Sequence, residues 1–338
     1  MEKIITFCVP SYNSESFLHV ALDSLIPGGE EIEVLVVDDG SKDGTLKVAQ
    51  EYEAKYPNIF KAVHQENKGH GGAINTALSM ASGKFFKVLD SDDKVDEESL
   101  HKAIAFLKEN GDKIDLLVMD YVYYHGWDKP TVRIGFRNVL KQNVIMEPRQ
   151  IKRFGLQQNI TLHTAMYKTE VIRRSGAKLP EHCSYEDNYM VYAPMFHVRH
   201  LAYLHLPFYC YFIGRDGQSM QYDIIRKKYY DLIRCGDLIW NAGDLPALKK
   251  VDKKLYTLVR HHLRMNFAYA FTFCQVNGSE QARQDMIDFI ERCKTSKPEQ
   301  WKAVKGSIQY KAMGKPTKFG RKRAMLVYRL ARKLITFN

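Results

Sequence analysis

The first ninety residues alternate between short apolar runs and amphipathic segments, and this alternation constrains the fold more than any other feature of the chain. Residues 3–9, 33–37, 58–63 and 84–89 have the apolar character of buried strands. Between them, apolar side chains recur at helical spacing around residues 18–26, 46–52 and 71–81, and Asn13 and Ser14 are candidates to cap the start of the first helix. Strands that alternate with helices over short connections are typical of a parallel sheet covered on both faces.

Polar segments follow each of these four predicted strands. Ligands of such sheets bind beyond the carboxyl ends of the strands, so we expect these segments to meet at one site. They are Val9-Pro10-Ser11-Tyr12-Asn13, residues 38–44 (Asp-Asp-Gly-Ser-Lys-Asp-Gly), residues 66–72 (Glu-Asn-Lys-Gly-His-Gly-Gly) and Asp90-Ser91-Asp92-Asp93.

The last of these segments places three carboxylates within four residues at a buried strand end. Such carboxylates repel one another unless a cation neutralises them, and Mg²⁺ or Mn²⁺ would take oxygen ligands of this kind. The alternative is that the acids only stabilise the start of a following helix near Asp96. We favour the metal over the helix start, because the other three polar segments are expected at the same site.

In this order, the four segments resemble the inverting family 2 glycosyltransferases of the GT-A fold. The resemblance covers about the first 220 residues and rests on Val-Pro-Ser-Tyr-Asn, Val-Val-Asp-Asp-Gly-Ser-Lys-Asp-Gly-Thr, Asn-Lys-Gly with Ile-Asn-Thr-Ala, and Asp-Ser-Asp-Asp. A dinucleotide-binding dehydrogenase would carry Gly-x-Gly-x-x-Gly after the first strand, where Pro10-Ser11-Tyr12-Asn13 stands instead. The resemblance implies a Rossmann-like, mostly parallel sheet.

The resemblance also implies roles for individual residues in binding a nucleotide diphosphate sugar. Asp39 would accept a hydrogen bond from the base, which suits uracil, and Lys68 would offset phosphate charge. Asp90 and Asp92 would hold the metal, with Asp93 as the alternative to Asp92. Many relatives have an Arg where this chain has Ile74. The residues implied for the donor are Pro10, Tyr12, Asp39, Lys68, Asp90, Ser91, Arg215 and Ser219.

A second acidic motif, Cys183-Ser184-Tyr185-Glu186-Asp187-Asn188, supplies the implied catalytic base. By resemblance, Asp187 is the candidate general base and Glu186 its neighbour. Inverting transfer is a single displacement in which a carboxylate takes the proton of the acceptor hydroxyl. The alternative is an acidic helix start with no chemical role. His163 is kept as a residue that could support the site, although a lone histidine is more often structural.

The chain beyond residue 221 has a helical pattern and an uneven charge. We therefore expect a GT-A domain over residues 1–220 and a helical region over 221–338, ending in a basic amphipathic helix over 319–337. That helix could lie on an anionic membrane surface or pack on the fold with a solvated basic rim. The net charge is +11, and no acid follows Glu299, whereas eleven cations do: Lys302, Lys305, Lys311, Lys315, Lys318, Arg321, Lys322, Arg323, Arg329, Arg332 and Lys333.

These features predict an enzyme that transfers one sugar from a nucleotide diphosphate, with UDP and Mn²⁺ or Mg²⁺, to a glycan or lipid-linked acceptor in polysaccharide or glycoconjugate synthesis. It would be a hexosyl- or N-acetylhexosaminyl-transferase. The alternatives are a catalytically silent glycan-binding relative and a basic nucleic-acid-binding protein, for which no binding motif is present. The start of the chain has no leader pattern, and the six scattered cysteines suggest free thiols. We expect a cytoplasmic protein, with contact to the membrane as a further possibility.

Overall fold

The computed structural model describes residues 2–126, 130–156, 158–214 and 222–334. These residues form two compact units. The first unit takes in the described residues of 1–153, 160–183 and 193–215, and the second those of 154–159, 184–192 and 216–338. Two short stretches inside the predicted first domain therefore belong to the second compact unit.

The first unit is built on one sheet of ten strands. The strands are β1 (Ile5–Ser11), β2 (Ile32–Asp38), β3 (Phe60–His64), β4 (Phe85–Val88), β5 (Lys94–Val95), β6 (Leu116–His125), β7 (Pro130–Ile134), β8 (Ile145–Met146), β9 (Ala165–Lys168) and β10 (Leu201–Ile213).

The sheet combines a parallel half with a mixed half. Its order is β3-β2-β1-β4-β9-β6-β10-β5, with β7 on β6 and β8 on β10. The four strands predicted from the first ninety residues are parallel to one another, as expected. Strand β9 then runs antiparallel to both β4 and β6, while β6 and β10 are parallel to each other.

Five helices belong to the first unit: α1 (Leu18–Asp23), α2 (Thr45–Lys55), α3 (Gly69–Met80), α4 (Glu97–Asn110) and α5 (Thr169–Ser175). Short 3-10 turns cover Ile26–Glu31, Gly111–Lys113, Pro148–Gln150 and Ala193–His197. Buried side chains of β1, β2, β4 and β6 pack with those of α1 and α4 in one apolar core. Burial of this apolar surface is the main favourable contribution to the fold.

Helix α1 begins later than the sequence suggests. Asn13 and Ser14 were expected to cap it, but the helix starts at Leu18. Asn13 has a left-handed backbone with φ of 50°, and its Oδ1 accepts a hydrogen bond from the Lys42 amide at 2.9 Å. The Ser14 amide donates to Thr45 Oγ1 at 2.7 Å. Both polar residues join the loops after β1 and β2 instead of capping a helix.

The second unit is helical in its described residues. Its helices are α6 (Asp187–Tyr192), α7 (Tyr222–Lys227), α8 (Tyr229–Asn241), α9 (Leu245–Val251), α10 (Lys253–Asn277), α11 (Glu280–Ser296), α12 (Pro298–Lys305), α13 (Ile308–Met313) and α14 (Lys318–Leu334). Apolar side chains of these helices are buried, including Leu232 and Trp240 of α8 and Leu263 and Phe267 of α10. The α/β sheet followed by a helical region agrees with the predicted fold class.

All six cysteines are buried free thiols, as the sequence suggested. Among the described helices, none combines the length and the apolar character that crossing a bilayer requires.

Candidate functional site

The carboxyl ends of β1, β2 and β4 lie side by side in the first unit. Ser11, the last residue of β1, is in register with Asp38, the last residue of β2, and Cys8 of β1 is in register with Val88 of β4. The loops after these strands therefore leave the same edge of the sheet. Three of the four polar segments seen in the sequence lie on these loops, and the fourth follows β3, whose last residue, His64, is in register with Asp38.

Asp39 is buried at the end of β2 and fixes the loop that follows β3. Its Oδ1 accepts hydrogen bonds from Gln65 Nε2 at 2.6 Å and from the Lys68 amide at 2.8 Å. Asn67 Nδ2 donates to the Asp39 carbonyl at 2.9 Å. Within the described part of the chain, the other carboxylate oxygen, Oδ2, accepts no hydrogen bond. That oxygen is available to a donor such as the N–H of a nucleobase.

Tyr12 follows β1 and exposes half of its side chain, whereas Pro10 is buried within the strand. The backbone beside Tyr12 is held by Asn13, whose amide donates to Ser41 Oγ at 2.9 Å. A phenol ring on a fixed backbone offers a flat face to a planar ligand without a large loss of conformational entropy on binding.

The segment from Lys68 to His70 connects Asp39 with the acidic cluster. The Lys68 amide donates to Asp39, and two residues later His70 Nε2 lies 3.1 Å from Asp90 Oδ1. Gly69, between them, has a left-handed φ of 74°. A Cβ at this position would lie 3.0 Å from the His182 amide nitrogen, so glycine suits both the backbone conformation and the close approach. The side chain of Lys68 is exposed.

Asp90 is half-buried, and its negative charge is stabilised. Burial acts to raise the pKa of Asp90, but the hydrogen bond and charge of His70, together with His163 and Tyr209, outweigh it and lower the pKa to about 2. The hydroxyl of Tyr209 lies 3.2 Å from Asp90 Oδ2. Asp90 is therefore a carboxylate at neutral pH.

Asp93 is fully buried and binds strand β10. Its Oδ1 accepts the Phe212 amide at 2.8 Å, and its Oδ2 accepts the Tyr209 hydroxyl at 2.6 Å. Burial and the nearby charges of Asp92 and Asp90 raise the pKa of Asp93 well above its usual value. Both oxygens of Asp93 thus serve the structure of the sheet.

His163 completes a group of potential metal ligands. One ligand atom each from Asp90, Asp93 and His163 lies within 4.8 Å of the others. His163 Nε2 is 3.9 Å from Asp90 Oδ2, and the ring packs edge-on against Tyr209 and Tyr211. Burial lowers the pKa of His163 to about 4, which keeps the imidazole neutral and able to bind a cation. His163 stands in the turn before β9.

Lys87 lies beneath this group with its ammonium buried. Its Nζ donates to the carbonyl oxygens of Leu162 at 2.6 Å, His163 at 2.7 Å and Ala165 at 3.2 Å. It also lies 5.1 Å from the centre of the Tyr209 ring. Burial lowers the pKa of Lys87 to about 7, against the opposing effect of Asp90 and Asp93.

The remaining predicted site residues have different positions. Ser91 is half-buried, with its Oγ 2.9 Å from Ser14 Oγ, and Asp92 is half-buried beside it in the chain. Arg215 and Ser219 lie outside the described residues. Glu186 and Asp187 belong to the second unit.

Within the second unit, the acidic motif stands at the start of a helix, as predicted. Asp187 is the first residue of α6 and is half-buried, and Glu186 is buried. The Ser184 amide donates to Asp231 Oδ2 of α8 at 3.1 Å, and Tyr185 packs edge-on against Phe273 of α10. The motif is therefore anchored to two helices of its own unit.

Four residues of the site were given no role, or only a minor one, by the sequence: His70, Lys87, His163 and Tyr209. A histidine or tyrosine in a strand-loop segment is usually structural, and Lys87 stands inside a run that reads as a buried strand. The lysine within this apolar run could nevertheless have been recognised as a residue with a specific role, because a buried lysine needs polar partners.

The family model of glycosyl transferase family 2 matches residues 6–176. The chain belongs to this family. The match takes in β1 to β4, the acidic cluster and His163, and it confirms the family that the sequence motifs indicated.

Curated relatives of the chain include proteins named as bacterial glycosyltransferases. A protein of Bacillus subtilis whose name reads "Putative glycosyltransferase EpsH" is 28% identical over 237 residues, covering 67% of this chain and 65% of EpsH. The poly(ribitol-phosphate) beta-N-acetylglucosaminyltransferase TarS of Staphylococcus aureus is 26% identical over 275 residues, covering 80% of this chain and 44% of TarS. The chain thus spans less than two thirds of the length of these relatives.

Solved structures confirm the GT-A-like fold followed by helices. TarS residues 1–349 in complex with UDP-GlcNAc superpose with a TM-score of 0.57 at 22% identity, over 91% of this chain and 92% of that one. The mannosyltransferase PcManGT of Pyrobaculum calidifontis, in complex with GDP-Man and Mn²⁺, gives a TM-score of 0.52 at 18% identity, over 100% and 89%.

Proposed function

We propose that this family 2 protein transfers one sugar per encounter from a UDP-sugar to a hydroxyl group of a cell-surface glycan or polyol-phosphate polymer, with inversion at the anomeric carbon. The observation that carries this proposal is the link between Asp39 and Asp90 through the Lys68–His70 segment. A residue suited to a nucleobase and a carboxylate suited to a metal are thereby held on one edge of one sheet.

The donor base is proposed to be uracil, stacked on Tyr12 and hydrogen-bonded to Asp39. An aspartate can accept the uracil N–H, and its Oδ2 has no competing donor among the described residues. Lys68 would face phosphate charge, and Ser91 would contact the donor from the loop after β4. Arg215 and Ser219 remain candidates from the sequence. The UDP-GlcNAc complex of TarS supports the choice of nucleotide.

A divalent metal fits the residues that are present. Asp90 and His163 present an oxygen and a nitrogen at one place, and the half-buried Asp92 is proposed as the second carboxylate, with Asp93 as the alternative. A carboxylate and imidazole set suits Mn²⁺ better than Mg²⁺, which prefers oxygen ligands alone. When bound, the cation would neutralise charge on the departing diphosphate.

Asp187 is proposed as the general base, with Glu186 as its neighbour. The carboxylate would take the proton of the acceptor hydroxyl while the hydroxyl oxygen forms its bond to the anomeric carbon and the bond to the diphosphate breaks. The name of TarS supports an acceptor of the polyol-phosphate type, and a lipid-linked glycan remains the alternative. The transferred sugar would be a hexose or an N-acetylhexosamine. A cytoplasmic location remains a prediction from the sequence.

The proposal is tested by supplying UDP-GlcNAc or UDP-glucose together with poly(ribitol phosphate) and Mn²⁺. Release of UDP that depends on the acceptor, and a product of inverted configuration by NMR, are expected. Asp187→Asn should lower kcat about a thousandfold while leaving the donor KM within about twofold, because a general base contributes to the proton transfer and not to donor binding. Glu291→Gln, a surface acid of α11, is the matched control. Retained configuration, or a fully active Asp187→Asn, would contradict the mechanism.

A further inference from the structure

Helix α14 buries one face and exposes another that is apolar. Met325 and Tyr328 pack against the small core formed by Ile225, Leu232, Ala270, Phe273 and Val276. Arg321 Nε donates to the Gln275 carbonyl of α10 at 3.1 Å, and Arg323 Nε donates to the Ala312 carbonyl of α13 at 3.1 Å. The helix is therefore fixed on the second unit by its own side chains.

The opposite face exposes three large apolar residues. Phe319 is 75% exposed, Leu326 59% and Leu330 53%. At 3.6 residues per turn these three positions fall within an arc of about 40°, and they span about 16 Å along the helix axis. They form a single stripe, which we call the α14 stripe. Isolated exposed apolar side chains are ordinary, but three in line on one helix are not explained by packing against the part of the chain that the structure describes.

Basic residues border the α14 stripe. Lys322 and Arg329 are exposed along one side of it, and Lys318, one turn before Lys322, is exposed as well. No acid is found in the sequence after Glu299, so these cations have no acidic partner on their own helix. An apolar stripe beside cations matches a surface whose outer layer is anionic and whose interior is apolar.

We propose that the α14 stripe docks this protein on an anionic lipid bilayer, with Phe319, Leu326 and Leu330 entering the acyl boundary and Lys322 and Arg329 lying against lipid phosphates. A nucleic acid would use the cations but would gain nothing from a row of leucine and phenylalanine side chains. This proposal does not rest on the proposed sugar transfer, because docking involves only the second unit and needs no donor.

The test is co-sedimentation of the full chain with phosphatidylcholine vesicles that contain or lack phosphatidylglycerol. We expect binding to the anionic vesicles that weakens as salt is added. The combined variant Phe319→Ser, Leu326→Ser and Leu330→Ser should bind at least about tenfold more weakly, because burial of apolar area supplies most of the insertion. Val251→Ser on α9, which removes a side chain that is 88% exposed, is the matched control and should bind as the unmodified protein does.

A second set of variants, Lys322→Glu and Arg329→Glu, tests the basic residues beside the stripe. Each is expected to weaken binding to anionic vesicles about fivefold or more. Lys250→Glu on α9 is the control for this set. All altered side chains are exposed, so thermal unfolding midpoints should match the unmodified protein.

Equal vesicle binding by the triple serine variant would overturn the proposal. A dimer in light scattering that the triple variant converts to monomer would also overturn it, because a second copy would then cover the stripe. Binding to an RNA duplex that displaces vesicles and is insensitive to the serine substitutions would assign the surface to nucleic acid instead.

Discussion

The buried ammonium of Lys87 donates a hydrogen bond to the carbonyl oxygen of His163 at 2.7 Å. The same ammonium binds the carbonyls of Leu162 and Ala165, so one side chain of β4 holds the whole turn that presents the His163 ring to Asp90. Lys87 is thus a positioning residue, and its effect on a bound metal would pass through His163.

Lys87→Met should weaken Mn²⁺ binding about tenfold while changing nucleotide affinity without metal by less than about twofold. Three carbonyl oxygens lose their donor, so the free energy of unfolding should also fall by about 1–3 kcal/mol. Titration of Mn²⁺ by calorimetry, with and without UDP, separates the two effects. Lys84→Met, which removes a lysine paired with the exposed Asp112, is the control. Unchanged Mn²⁺ affinity in Lys87→Met would refute the positioning role.

Asp92 and Asp93 are adjacent in sequence but should behave differently when substituted. Asp93→Asn places an amide where two donors, the Phe212 amide and the Tyr209 hydroxyl, need acceptors, so it should cost about 1–3 kcal/mol of folding free energy. Asp92→Ala should abolish the response to Mn²⁺ and cost less folding free energy than Asp93→Asn, because Asp92 is half-buried and Asp93 is fully buried. The reverse pattern would make Asp93 the metal ligand and Asp92 the structural residue.

Tyr12→Ala should weaken UDP binding about tenfold, since stacking of a base on an aromatic ring contributes about 1–3 kcal/mol. Tyr12→Phe should bind UDP as the native protein does, because the ring face and not the hydroxyl makes the proposed contact. Half of this side chain is exposed, so neither change should lower stability. Isothermal titration of all three proteins decides the matter, and equal affinity across them would remove Tyr12 from the site.

Acid should destabilise the protein through His262 of α10. Burial lowers the pKa of His262 from 6.5 to about 3, so between these values the unfolded chain binds a proton that the folded chain does not. The free energy of unfolding therefore falls as pH drops below 6.5, and this loss of stability reaches about 3 kcal/mol by pH 4. His262→Asn, which keeps a donor for the Leu258 carbonyl, should flatten the pH dependence of urea unfolding over this range. His101→Asn on the surface of α4 should leave the slope as it is.

Much of the sheet could be predicted because local pattern and tertiary role agree there. Strands β1 to β4 are apolar runs followed by polar loops, and the parallel connection rule then brings Asp39 and Asp90 to one edge. The antiparallel position of β9 could not be predicted, since a run of four residues carries no information about its neighbours. The predicted start of α1 was wrong. The Asn13 side chain and the Ser14 amide form hydrogen bonds with Lys42 and Thr45, and neither side chain caps the helix.

The predicted site residues were found from motifs, whereas their supporting residues depend on distant contacts. Lys87 and His163 are 76 residues apart, and Tyr209 and Asp93 are 116 apart. No local pattern reports a hydrogen bond across such a separation. The choice between Asp92 and Asp93 as the proposed metal ligand also depends on β10. Both carboxylate oxygens of Asp93 accept hydrogen bonds from this strand, which lies more than a hundred residues later in the chain.

The central claim is that the edge formed by β1, β2 and β4 binds a uridine diphosphate with a divalent cation, and calorimetric titration of UDP and GDP with and without Mn²⁺ tests it most directly. We predict UDP binding that is strengthened by Mn²⁺, weak GDP binding, loss of the Mn²⁺ effect in Asp92→Ala, and full binding in Asp112→Asn, an exposed acid of the same unit. Binding of neither nucleotide would contradict the account and favour a catalytically silent family member, and preference for GDP would overturn the assignment of Asp39 to uracil.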